Sequence, residues 1–238
     1  MLLSTPGLVL HTTPYSESSV VVKVFTRQLG VRSYIIKGVR GPRGRVKISL
    51  LQPLSCLDMV VYNNEKTDLN YIKELSPRHN ETLSQSSNLA ITHSLRFFMT
   101  EVLYKALREA EPMPALFDYV ESSNSSLSTF HFPLSTFPIT FLLTVARHLG
   151  IEPLDNFCPR ETLFDLQEGR FVSAPTETTL SPALSENLHH YLNFPLSSFH
   201  SPLDERTALI NALITYYHLH LSGFAHFHSH EILHTILK

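Results

Sequence analysis

Between Ser18 and Leu57 the chain has no aspartate or glutamate, yet Lys23, Arg27, Arg32, Lys37, Arg40, Arg43, Arg45 and Lys47 all fall inside that window. Such a surface attracts phosphate backbones by neutralising them and releasing their counterions. Gly38, Gly41, Pro42 and Gly44 are interleaved with three of the arginines. A segment so rich in Gly and Pro reads as a loop, and planar guanidinium groups carried on a loop can adapt to phosphate oxygens. A merely solvated basic face is the competing reading, but the complete absence of acids favours a polyanion site. Tyr15, Phe25 and Tyr34 are the nearby rings on which bases could stack, with a place in the core the first expectation for each.

A second cluster has metal-binding chemistry. His218, His220, His226, His228, His230 and His234 crowd the end of a chain that has 14 histidines. On a helix His226, His230 and His234 would share one face at i, i+4 spacing. Gly223 interrupts such a helix and Glu231 is the one carboxylate nearby, so solvated histidines are expected, with a His-cluster metal-dependent enzyme as the lesser alternative. Cys56 and Cys158 are too few for a disulfide framework or an all-cysteine zinc site. No Gly-x-x-x-x-Gly-Lys phosphate loop and no Gly-x-Ser-x-Gly elbow occurs. The expectation is therefore no catalytic residue, no metal and no cofactor, so that any work runs on binding energy.

The elements that must position these residues follow from the pattern of apolar side chains. In 238 residues, 43% are apolar and 17% charged, enough to bury a sizeable core. The net charge of -2 hides an asymmetry: residues 1 to 80 carry 11 basic against 5 acidic side chains, the remainder 8 against 16. Val20 to Phe25 and Tyr34 to Ile36, joined through Gln28-Leu29-Gly30, read as a hairpin, and Leu50 to Tyr62 and Leu69 to Leu75 as further strands. Five short strands within some 70 residues suit a small closed barrel. After Pro77 the spacing of Leu95, Phe98, Val102 and Ala106, beside Met99, Leu103 and Leu107, predicts a long amphipathic helix. Further helices are predicted over 115–122, 137–149 with Gly150 as its C-terminal cap, 185–194 and 204–221. The stretches 122–135 and 153–175 read as loops or insertions. The fold class is thus α+β, an N-terminal OB-fold barrel over 1–79 followed by a mainly helical domain over 80–238. Met1 to Leu10 lacks a basic leader and no apolar run approaches the ~20 residues that span a bilayer, so a cytoplasmic, nucleoid-associated protein without membrane contact is expected.

Several stretches together resemble the bacterial DNA repair protein family RecO. They are Val9-Leu10-His11-Thr12-Thr13-Pro14-Tyr15-Ser16-Glu17-Ser18, Phe25-Thr26-Arg27 with Gly30, Lys37-Gly38-Val39-Arg40 and Leu51-Gln52-Pro53-Leu54. In the helical half they are Phe97 to Tyr104, Leu116-Phe117, Leu149-Gly150 and the closing Ser229-His230-Glu231-Ile232-Leu233. The resemblance covers nearly the whole chain. It implies an OB fold followed by a helical domain, binding of single- and double-stranded DNA, and annealing of complementary strands. It also implies partnership with RecR and with the C-terminal tail of single-strand-binding protein, so that RecA is loaded onto covered DNA. The family's four-cysteine zinc module would fall on Asn156-Phe157-Cys158, Phe164-Asp165 and Gly169-Arg170-Phe171, which retain Cys158 alone. This degenerate module is expected to keep its turn without zinc. Arg147 is of the right type and on the right sort of helix to hold the tail's carboxylate, but that pocket stays unassigned. Charge alone also admits an OB-type RNA-binding module.

Overall fold

The computed structural model describes residues 1–39, 46–64, 67–78, 89–107, 111–127, 134–193, 202–224 and 226–230. It divides into two compact units, Met1–Thr129 and Phe130–Lys238.

The first unit is built on strands β1 (Leu2–Pro14), β2 (Val20–Thr26), β3 (Gly30–Ile36), β4 (Cys56–Tyr62) and β5 (Leu69–Pro77). They close into a barrel in the order β1-β2-β3-β5-β4. Every pairing is antiparallel except β3 with β5, where Ser33 lies opposite Leu69 and Ile35 opposite Tyr71. This is the OB topology that the strand count suggested. Alternation puts Val20, Val22 and Val24 of β2, Tyr34 and Ile36 of β3, and Leu57, Met59 and Val61 of β4 in one interior cluster. Gly7 is glycine because β1 passes so close to the core that a Cβ there would come within 2.5 Å of the Met59 and Val24 side chains.

Three stretches differ from the sequence expectation: 153–175, read as a loop or insertion, holds a short two-stranded hairpin at 163–172, and the other two lie in the first unit. Leu50 to Tyr62 is not one strand: a 3-10 turn at Ile48–Leu51 precedes β4. Pro53 cannot donate to a ladder, and Leu54 turns the chain with φ 58°, so pairing starts only at Cys56. The serine-rich segment from Ser122 onward is helical as far as Leu127. Helices α1 (Leu89–Ala106) and α2 (Pro114–Leu127) follow the barrel, and α2 survives its serines through tertiary anchors. Asn124 is buried, donates to the Leu54 carbonyl at 3.1 Å and accepts from Arg96 Nε at 2.9 Å. Propensity is a weak prior beside such contacts.

The second unit holds α3 (Phe137–His148), a hairpin of β6 (Leu163–Asp165) and β7 (Arg170–Val172), α4 (Pro182–Asn193) and α5 (Leu203–His220). Gly150 ends α3 as predicted, with φ 72°. Its N–H donates to the Arg147 carbonyl and that of Ile151 to Ala146, the paired bonds of a Schellman cap. Tyr217 Oη donates to the Leu142 carbonyl at 2.6 Å, tying α5 to α3. No described helix is long and apolar enough to cross a membrane.

Candidate nucleic-acid interface

The basic residues of the acid-free window do not share one environment. On β2 the residues facing away from the barrel core are Val21, Lys23 and Phe25, and the helices reach this wall. Phe25 is fully buried and meets Phe117 of α2 edge to face, ring centres 5.6 Å apart. Lys23 holds its Nζ 4.7 Å from the ring centre of Tyr104 on α1, and His11 lies 5.1 Å from the same ring. Arg27 makes a bidentate pair with Asp118 of α2, Nε to Oδ1 at 2.7 Å and Nη2 to Oδ2 at 2.8 Å. Hydrogen bonding and charge from Asp118 raise the Arg27 pKa, and Arg27 holds the Asp118 carboxyl below the usual carboxylate range.

The same helix face takes up the end of the barrel. Arg78 bridges Asp58 and Glu121, each at 2.7 Å, and the Cys56 thiol donates to Glu121 Oε1 at 3.1 Å. Burial, then that hydrogen bond, push the thiol pKa far up, so Cys56 is an inert neutral donor. Phe117, Asp118, Glu121 and Asn124 recur at helical spacing and form one adhesive stripe on the barrel.

Lys37 and Lys47 are exposed, while Arg32 on β3 is half-buried opposite Val24. Lys47 immediately precedes the 3-10 turn. A groove of about 340 Å³ lies beside that turn, lined by Val9, His11, Thr12, Ile48, Leu51 and Gln52 among others. Arg40, Arg43 and Arg45 lie outside the described residues. Of the three rings considered for stacking, Phe25 and Tyr34 are core and Tyr15 is exposed. Burial pushes the Tyr34 pKa up to about 12. The sequence reading passed over Tyr71, which is exposed and has Lys37 Nζ 5.4 Å from its ring centre. The signal was present, since Tyr71 alternates with the inward Asn70 and Ile72 in β5.

An arginine already neutralised by Asp118 has little left to offer a phosphate. Arg27→Ala is therefore expected to reduce the slope of log affinity against log salt by well under the roughly 0.9 expected for one phosphate contact. Anisotropy titrations of labelled DNA at several salt concentrations read this directly. A loss of a full contact's slope would mean that Arg27 leaves Asp118 for the nucleic acid.

In the second unit, the stretch where the family's zinc module would fall is held by hydrogen bonds. Cys158 and Glu161 exchange backbone bonds across a tight turn. Asn156 Nδ2 reaches Glu161 Oε2 at 2.7 Å and the Phe171 carbonyl at 2.9 Å, while its Oδ1 accepts from Phe171 N–H at 2.8 Å. The other end of the hairpin centres on the buried Asp165, which accepts from the N–H groups of Gln167 and Glu168 and from the hydroxyls of Thr176 and Thr178. One thiol, an amide and a fully engaged carboxylate do not fit tetrahedral zinc, which wants thiolates or imidazoles. The turn keeps its shape through amide and carboxylate bonds instead.

Arg147 pairs with Glu152, Nε to Oε1 at 2.7 Å, so in this state its charge is already answered. Among the histidines, His220 Nε2 lies 2.9 Å from the Leu166 carbonyl and fixes α5 to the hairpin. His226 sits outside any helix with φ 54°, so the proposed i, i+4 face does not include it. Its third member, His234, lies outside the described residues. His230-Glu231-Ile232-Leu233-His234 does have the His-Glu-x-x-His spacing of zinc-binding helices, a match the sequence reading missed. Of it only His230 is described, with its ring 5.6 Å from that of Phe227. Among the described residues no three His, Cys, Asp or Glu side chains gather as a metal set.

Comparison with known proteins adds an independent line. Residues 1–80 match the family model described as "Recombination protein O N terminal", and residues 91–229 match "Recombination protein O C terminal". The chain is similar to proteins named "DNA repair protein RecO". It is 26% identical to that of Azobacteroides pseudotrichonymphae, over 99% of both chains. It is 30% identical to that of Phocaeicola vulgatus, over 98% of both, and 29% identical to that of Flavobacterium johnsoniae, over 100% of both.

Proposed function

Because this chain belongs to the recombination protein O family, we propose that it is a recombination mediator that binds single- and double-stranded DNA, anneals complementary strands and works without a catalytic centre. The observation that carries the reading is a closed OB barrel whose acid-free window leaves Lys37 and Lys47 exposed. Neutralising phosphates on two strands lowers their mutual repulsion, so base pairing proceeds on binding energy alone. The barrel, 1–79, holds the DNA. Residues 80–238 carry the docking surfaces for RecR and for the C-terminal tail of single-strand-binding protein, and the mediator helps RecA onto strands which that protein covers. In the cell it works at the nucleoid.

Annealing of complementary oligonucleotides, bare and covered with single-strand-binding protein, tests the reading. The protein is expected to accelerate both, without a nucleotide cofactor. No acceleration of either would overturn it. The His-Glu-x-x-His spacing at His230 to His234 supports a rival, a metal-dependent enzyme. Stoichiometric zinc in protein purified without a tag, lost on His230→Ala together with a hydrolytic activity, would favour that rival.

A further inference from the structure

Tyr62 on β4 and Tyr71 on β5 stand directly opposite one another in the ladder. Both point away from the barrel core and are about half exposed, at 47% and 49%. On one side the row continues to Leu2 of β1, which pairs with Tyr62 and is itself 47% exposed; on the other it ends at Ile35 of β3, which pairs with Tyr71 and is buried. Lys37, just beyond β3, sets its ammonium over the Tyr71 ring. Glu74, the acid on the same strand, is paired with Lys73 at 3.3 Å. Helices α1 and α2 seal the wall bearing Phe25 and Cys56, so these two rings are the aromatic surface that the β4–β5 wall shows to water.

The cross-strand pairing of the two tyrosines leaves ring area open beside a cation. An apolar protein partner would gain nothing from Lys37 there. An anionic chain with planar groups gains from both the rings and the charge.

We infer that Tyr62 and Tyr71 form a stacking platform for the unpaired bases of single-stranded nucleic acid, with Lys37 taking the adjoining phosphate. This rests on the DNA-binding role proposed above and adds a strand preference to it. Phosphate neutralisation serves single and double strands alike, whereas a tyrosine ring can stack only on a base not already stacked in a duplex.

The chain has nine tyrosines and no tryptophan, so its intrinsic emission reports stacking. Three probes of equal length separate the terms: a thymidine oligonucleotide, an abasic strand and a duplex. Tyr71→Ala is expected to weaken thymidine-strand binding about ten-fold at moderate salt while changing the other two by less than about two-fold. Tyr71→Phe should retain wild-type affinity, and the thymidine strand should quench emission more than the abasic one. Equal losses on all three probes, or no loss on the thymidine strand, would overturn the platform while leaving the charge-driven role standing. If the wild-type chain binds none of the probes, the DNA-binding role itself fails. Should Tyr71→Ala not fold by circular dichroism, Tyr62→Ala and the wild-type quenching decide, and equal quenching by both strands overturns the inference.

Discussion

Simultaneous replacement of Arg40, Arg43 and Arg45 by alanine should weaken DNA binding about 100-fold near 0.1 M salt and cut the salt slope by about 2 to 3. The estimate assumes that each arginine answers one phosphate, with a slope of roughly 0.9 per contact. Three reasons single out this segment. It lies inside the acid-free window, its interleaved Gly and Pro favour a loop, and of the two earlier arginines Arg27 is committed to Asp118 and Arg32 is half-buried. Lysine in place of all three should restore much of the slope but less of the affinity, because an ammonium lacks the two-pronged geometry of guanidinium. Anisotropy titrations across salt concentration give both quantities. An unchanged slope would move the phosphate contacts elsewhere, with Lys37 and Lys47 the next to test.

Asp165→Ala is expected to destabilise the second unit by about 3 kcal/mol, because it removes the buried carboxylate on which two backbone N–H groups and the threonine hydroxyls converge. Chemical denaturation followed by near-ultraviolet circular dichroism reads the loss. Burial pushes the Asp165 pKa up, but bonds from Thr176, Glu168 N–H, Thr178 and Gln167 N–H outweigh it, and the group sits below its ordinary value. A carboxyl whose folded pKa lies below its unfolded value of about 3.9 contributes in full above that pH. The contribution is then lost as pH falls through the folded pKa. The stability that Asp165 contributes should therefore be lost only below about pH 4, and Asp165→Ala should flatten the pH dependence there. Chelators should leave the hairpin's stability unchanged, since Asn156 and Asp165 do the holding. A melting temperature that falls on chelation would show that metal contributes after all.

The barrel and the order of helices were legible in the sequence because alternation and helical spacing are local signals. Val20 to Phe25, the turn into β3, the rows of α1 and the Gly150 cap were all read that way. The sequence misled where a local signal met a distant partner. Serines after Ser122 suggested a loop, yet Asn124 is anchored to Leu54, 70 residues earlier, and the helix runs on. Leu50 to Tyr62 looked like one strand until Pro53 and Leu54 broke it.

What the sequence determined alone was the charge of the window from Ser18 to Leu57 and the strand alternation on which it rides, for both depend only on neighbouring residue types. Which basic groups still face water was decided by the tertiary structure. Arg27 meets Asp118 across 91 positions, and Lys23 meets Tyr104 across a similar span; no periodicity encodes such pairs. The same holds for the rings. Tyr34 and Tyr71 are equally aromatic strand residues, but closure of the barrel in the order β1-β2-β3-β5-β4 turns one into the core and the other to the surface. Register in a closed sheet fixes the face of every side chain at once.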